Sequence, residues 1–142
     1  MPYEIFEHTA DIGLRIRAKD LNHLFADAAD GFFNLVTDLS AIRQLGPENL
    51  HEVEVNFQEE NAAELLMHWL QELLFIFSTR HSVLLEYHFI TLTPMMLKLK
   101  AKAVRFDPAK HPSRHEVKAV TYHQFRVVQE KAGWLAEVIL DI

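Results

Sequence analysis

The strongest constraint on the fold is a change of hydrophobic period at Ser82. Two long segments before it repeat their apolar residues every three or four positions, whereas the runs after it alternate at a period of two. The first helical segment is predicted over about residues 21 to 39. Its Leu21, Leu24, Phe25, Ala28, Ala29, Phe32, Leu35, Val36 and Leu39 share a face, and Asp20 is placed to cap it. Asp27, Asp30, Asn34 and Asp38 are expected on the wet side, and Gly31 is a point for close packing. The second helix is predicted over about residues 62 to 79. It opens on Asn61 and Glu64, a relative of the capping box, and buries a stripe that includes Leu66, Trp69, Leu70, Leu73 and Phe77. His68 and Glu72 stand one turn apart and are expected to form a hydrogen-bonded surface pair.

Strand signals surround these helices. Tyr3, Ile5 and Phe6 make a short edge-compatible run, and Ile12, Leu14 and Ile16 alternate with Gly13, Arg15 and Arg17. Val53, Val55 and Phe57 follow the Gly46-Pro47 break. Val83 to Phe89, Leu97 to Ala103, Val117 to Val128 and Trp134 to Ile142 complete the set, with turns at Thr93-Pro94 and Lys131-Ala132-Gly133. The fold class that results is α+β: two helices packed on a mostly antiparallel sheet of about six strands or more, as a two-layer sandwich. Lys98, Lys100 and Lys102 share one strand face, read as solvated or edge-protecting, with a docking surface for phosphate or an acidic partner as the alternative. The Asp107 to His115 run, with two prolines, is a loop whose His, Lys and Arg are candidate contacts. Pro112 argues against a helical zinc pair formed by His111 and His115.

With 142 residues the chain is read as one domain, able to bury roughly 68% of its unfolded surface without staples. It has no cysteine, which removes disulfides, thiolate metal sites and cysteine nucleophiles together. Neither a signal peptide nor a membrane span is legible, so a soluble cytoplasmic protein is expected. The formal charge of −6 disfavours non-specific nucleic-acid binding and leaves any RNA contact local or indirect.

Chemistry concentrates in His8-Thr9-Ala10-Asp11-Ile12-Gly13. A tight connection between the flanking strands leaves Asp11 at a strand mouth, solvated yet held still; Thr9 and Asp11 read equally well as turn residues bonding their own backbone. At the other end, the α-carboxylate of Ile142 falls beside the side chain of Asp141, and two such charges repel unless an arginine or a divalent ion relieves them. The four glycines are too scattered for a phosphate-cradling loop, and no serine sits in a nucleophile elbow.

Several segments carry a family resemblance. They are Tyr3-Glu4 with the His8 to Gly13 motif, Trp69 to Phe77, Lys110-His111-Pro112, Glu116 to His123, and Gly133-Trp134 through Ile142. Together they resemble the archease family along essentially the whole chain. The resemblance implies a non-catalytic protein cofactor that activates the tRNA-splicing RNA ligase by promoting its guanylylation and multiple turnover, and so meets tRNA only through that ligase. A metal site described for the family maps onto Asp11, Asp141 and Ile142, an all-oxygen set that suits calcium or magnesium. His8, Lys110, His111 and Arg114 are the partner-binding expectations. No membrane contact is expected, and self-association is left open. The rival readings are a chaperone-like binding module for RNA-modifying enzymes and a metal-dependent hydrolase.

Overall fold

A computed structural model describes the chain except Met1, Thr9, Ala10, Pro47 and Asn49, and describes His8 by its backbone alone. The described elements run β1 (Tyr3–His8), β2 (Asp11–Ala18), α1 (Leu21–Val36), α2 (Leu39–Gln44), β3 (His51–Gln58), α3 (Ala62–Arg80), β4 (Ser82–Thr93), β5 (Met96–Arg105), β6 (Ala119–Glu130) and β7 (Gly133–Asp141). Every strand pairing is antiparallel.

The strands divide between two sheets, ordered β1-β2-β7-β6 and β3-β5-β4, which corrects the expectation of a single sheet. The reason lies in α1. Phe33, which lies outside the expected stripe, is fully buried along with Phe32, so the apolar arc is too wide for one sheet to cover. On the first sheet a Cβ at Gly31 would come within 2.7 Å of Leu14 and 3.2 Å of Tyr3, so close packing explains that glycine. Toward the second sheet, Asp30 on the same helix accepts the Tyr87 hydroxyl of β4 at 3.2 Å. Helix α3 lies alongside, with Trp69 Nε1 donating to the Phe25 carbonyl at 2.9 Å and Phe77 bridging Phe33 and Phe106 edge to face.

Helix starts follow the sequence. Asp20 and Asn61 accept the backbone N–H three residues on, at 2.8 Å and 2.9 Å. Glu64 does not return the bond as a full capping box would; its carboxylate accepts the Tyr122 hydroxyl of β6 at 2.8 Å. The predicted first helix is cut short, because Thr37 turns extended and Asp38 caps α2, placing Leu39 in that second short helix. The acidic residues of α1 are accordingly less wet than expected. Burial pushes the Asp30 carboxyl up despite Arg43 at 3.8 Å, and Asn34 accepts the Leu39 N–H at 2.9 Å.

Two further readings change. His68 pairs with Glu59 at 2.7 Å and stacks on Phe57, with Glu72 not its partner. The lysine row sits on β5, the centre of its sheet, and protects no edge. Lys100 lies 3.6 Å from both Glu52 and Glu54 and Lys102 lies 3.8 Å from Glu86, so the row is the middle of a solvated charge ladder. No helix of the described residues is long and apolar enough to cross a membrane.

Candidate functional site

The first sheet brings the two ends of the sequence together. Asp11 opens β2 directly opposite His8 of β1 on one side and Asp141 of β7 on the other, and Ala119 of β6 completes the row. Directly opposed residues project from the same face, with Cβ atoms about 4.5–5.5 Å apart, so the two aspartates share one side of the sheet at its end. Ile12, Leu14, Val138 and Leu140 take the other face into the core, which fixes this orientation: a one-residue slip would bury the charges. Asp11 is half-buried and Asp141 exposed, and Ile142 packs partly against the core.

Flanking segments hold the row from both sides. Lys118 N–H donates to the Asp141 carbonyl at 2.7 Å, and the Thr121 hydroxyl donates to the Ile139 carbonyl at 2.8 Å. The His8 to Gly13 and Lys118 to His123 motifs therefore converge on the end of β7 from opposite edges. In the next row, the Phe6 ring lies over Gly13, where a Cβ would come within 2.1 Å of the ring. The glycine thus seats the aromatic ring, which in turn takes the Arg15 guanidinium on its face at 4.6 Å.

Below that, Glu137 of β7 is clamped by two arginines that sequence reading did not single out. Arg15 of β2 reaches one carboxylate oxygen through Nη2 at 2.9 Å and Nε at 3.1 Å, and Arg126 of β6 reaches the other through Nε at 2.6 Å. Burial opposes the charge on Glu137, but the bonds from Arg126 and Arg15 win and hold its carboxyl below the usual range. Only knowledge of the β2-β7-β6 pairing would have disclosed this triad, since its members are 111 and 11 positions from their neighbours in sequence (126 − 15 and 137 − 126).

The pair Asp11 and Asp141 fits a hard, oxygen-seeking cation in donor type. Among the described residues, however, no group of three His, Cys, Asp or Glu side chains gathers as a metal cage. The Thr9 part of the motif, and with it the turn reading of that residue, lies outside the described residues, as does the His8 side chain.

The loop that carries the other expected contacts, residues 106 to 118, is longer than predicted and is fastened to α1. Arg114 and His115 N–H groups donate to the Val36 and Leu35 carbonyls at 3.0 Å and 2.9 Å, and the Thr37 hydroxyl donates to the Pro112 carbonyl at 2.6 Å. The first two bonds satisfy carbonyls that a helix C-terminus leaves open. The Arg114 side chain joins in, donating to the Asn34 carbonyl at 2.9 Å and lying 3.2 Å from Asp38. Arg114 is therefore a fastener within the molecule. His111 is 8% exposed and accepts the Asp107 N–H on Nδ1 at 2.9 Å, and Lys110 is exposed. The loop ends at Lys118, whose N–H donates to the Asp141 carbonyl, so its C-terminal end runs into the Asp11 row.

Fold and site together define a class: a small α+β domain of helices packed on two antiparallel sheets, with a carboxylate pair at a sheet end. A family model, the Archease protein family, matches residues 3–142. The protein archease of Methanopyrus kandleri is 35% identical over 145 residues, covering 100% of both chains. That of Sulfurisphaera tokodaii is 34% identical, covering 99% of this chain and 98% of the relative. The solution structure of Methanobacterium thermoautotrophicum protein 1598 superimposes with a TM-score of 0.75 at 34% identity, over 99% of each chain. The chain belongs to the archease family.

Proposed function

We propose that this chain is a non-catalytic protein cofactor of the tRNA-splicing RNA ligase, promoting the ligase's guanylylation and multiple turnover, and meeting tRNA only through it. Full-length membership of the archease family supports this reading, and the observation that carries it is the display of Asp11 and Asp141 side by side at an open sheet end. A pair of carboxylates held side by side on one sheet face suits an anionic pole that positions another protein's groups. Calcium or magnesium, bound by Asp11, Asp141 and the Ile142 α-carboxylate, would neutralise that pole and set its charge toward the partner. His8, Lys110, His111 and Arg114 are proposed to meet the ligase; Lys110 and Arg114 are exposed, and Arg114 also donates to the Asn34 carbonyl.

The test is the covalent guanylate formed on purified ligase with GTP, with and without this chain, at single and multiple turnover. Stimulation of both is expected. A chaperone-like module would raise the yield of active ligase without changing guanylylation per active molecule, and a hydrolase would cleave phosphoesters unaided; either result would displace the cofactor reading.

A further inference from the structure

A groove of about 900 Å³ opens between the C-terminal end of α3, the end of β5 and the turn that follows it, within the size range of small-ligand sites. Four nitrogen-bearing side chains line it: His81, Arg105, Lys110 and His111. His111 is the organising member. It is 8% exposed, and its Nδ1 accepts the Asp107 N–H, so the proton of the neutral ring sits on Nε2. No described residue hydrogen-bonds Nε2, and no buried side-chain polar atom of the described residues lacks a partner, so Nε2–H opens on the groove it lines.

His81 gives an independent sign. It ends α3 in the left-handed conformation at φ 51°, a position glycine or asparagine would fill without strain. Strain of this kind collects where a particular side chain has to be presented. Its carbonyl accepts the Phe106 N–H at 2.6 Å, which fixes the helix end to the start of the turn. Arg105 and Lys110 enter no ion pair among the described residues, so their donors are available. Against these stand Glu48 and Asp107; one Asp107 oxygen is occupied by the Ala109 N–H at 2.9 Å. The balance disfavours a polyanion held by charge alone. Leu45, Val104 and Pro108 supply an apolar wall.

We infer that this groove is a binding site for a small molecule that joins a phosphate group to an apolar or aromatic body. His111 Nε2–H, Arg105 and Lys110 donate to the phosphate oxygens, and the body lies on the Leu45 and Val104 wall. The site belongs to the isolated chain and does not rest on the ligase reading, so failure of one leaves the other standing.

The experiment is NMR titration of the whole chain with phenyl phosphate and, separately, inorganic phosphate. Phenyl phosphate is expected to shift the amides of Asp107 and Lys110 and the His111 ring signals to saturation. Arg105→Gln and Lys110→Gln are each expected to weaken binding about tenfold, the loss of one charge-assisted hydrogen bond, while Lys98→Gln on the second sheet leaves it unchanged. Inorganic phosphate is expected to shift the same signals with lower affinity. Absence of saturable shifts at millimolar ligand, or an equal loss in Lys98→Gln, overturns the site. Equal or tighter binding of inorganic phosphate overturns the apolar half of the assignment.

Discussion

Replacing Glu137 by glutamine tests whether the first sheet is held across its width by charge. The carboxylate takes Arg15 on one oxygen and Arg126 on the other, so the substitution keeps the shape while turning one acceptor into a donor facing a guanidinium. The Arg15 side chain is 30% exposed and that of Glu137 17%, whereas Arg126 is 56% exposed and its bond is screened by water. Allowing about 1.5 kcal/mol for the Arg15 pair and about 0.5 kcal/mol for the Arg126 pair gives a loss of about 2 kcal/mol near neutral pH. For a domain of this size that lowers the thermal midpoint by about 6 °C. The folded carboxyl is held below its unfolded value, so its contribution is complete above the unfolded glutamate range and fades as pH falls through the folded value. Calorimetric melts of both proteins should therefore converge in acid. A gap of the same size below the carboxylate range would refute the ionic account and leave a packing defect as the cause.

Asp11→Asn should weaken calcium or magnesium binding in titration calorimetry and change the ion-free stability by less than about 1 kcal/mol, because it also relieves the repulsion across to Asp141. One glycine appended after Ile142 moves the α-carboxylate by roughly 3.3 Å and should lower ion affinity without altering the far-ultraviolet dichroism; unchanged affinity would remove that group from the proposed site. Arg114→Glu should cost about 1–2 kcal/mol in urea unfolding, since it breaks two bonds at the end of α1, whereas Lys110→Glu should cost almost nothing and is the cleaner probe of partner contact. His81→Gly should raise stability by up to about 1 kcal/mol by releasing the left-handed backbone; a fall would mean that the ring is held by packing.

Local features were legible wherever the deciding interaction was near in sequence. Asp20 and Asn61 announce helix starts because a cap reaches only three residues, and the Thr93-Pro94 turn is closed by Thr93 Oγ1 accepting the Met95 and Met96 N–H groups at 3.3 Å and 3.1 Å. The split into two sheets was not legible. Alternation tells which face of a strand is buried and is silent on its neighbour, so β5 passed for a possible edge and Arg15 for an ordinary solvent-facing residue. The nearness of Asp11 and Asp141 was reached by the family resemblance, and the register then put them opposite one another. Arg114 looked like a free loop cation because its partners, the Asn34 carbonyl and the Asp38 carboxylate, lie far off in sequence at the end of α1.

The central place of β7 also sets an order on how the molecule is made. Its partner β2 begins at Asp11 and β7 ends at Asp141, a separation of 130 positions (141 − 11), with β6 on its other flank. During synthesis the β1-β2 hairpin emerges first and waits with one edge open while both long helices and the whole second sheet are translated. At about 5–20 residues per second that interval lasts several seconds or more, long compared with hairpin formation. The second sheet and the helices can assemble in the meantime, leaving a slot between β2 and β6 that only the final strand fills. Closure of that slot brings Asp11 and Asp141 together, so the anionic pole forms only after both helices and the second sheet have been translated.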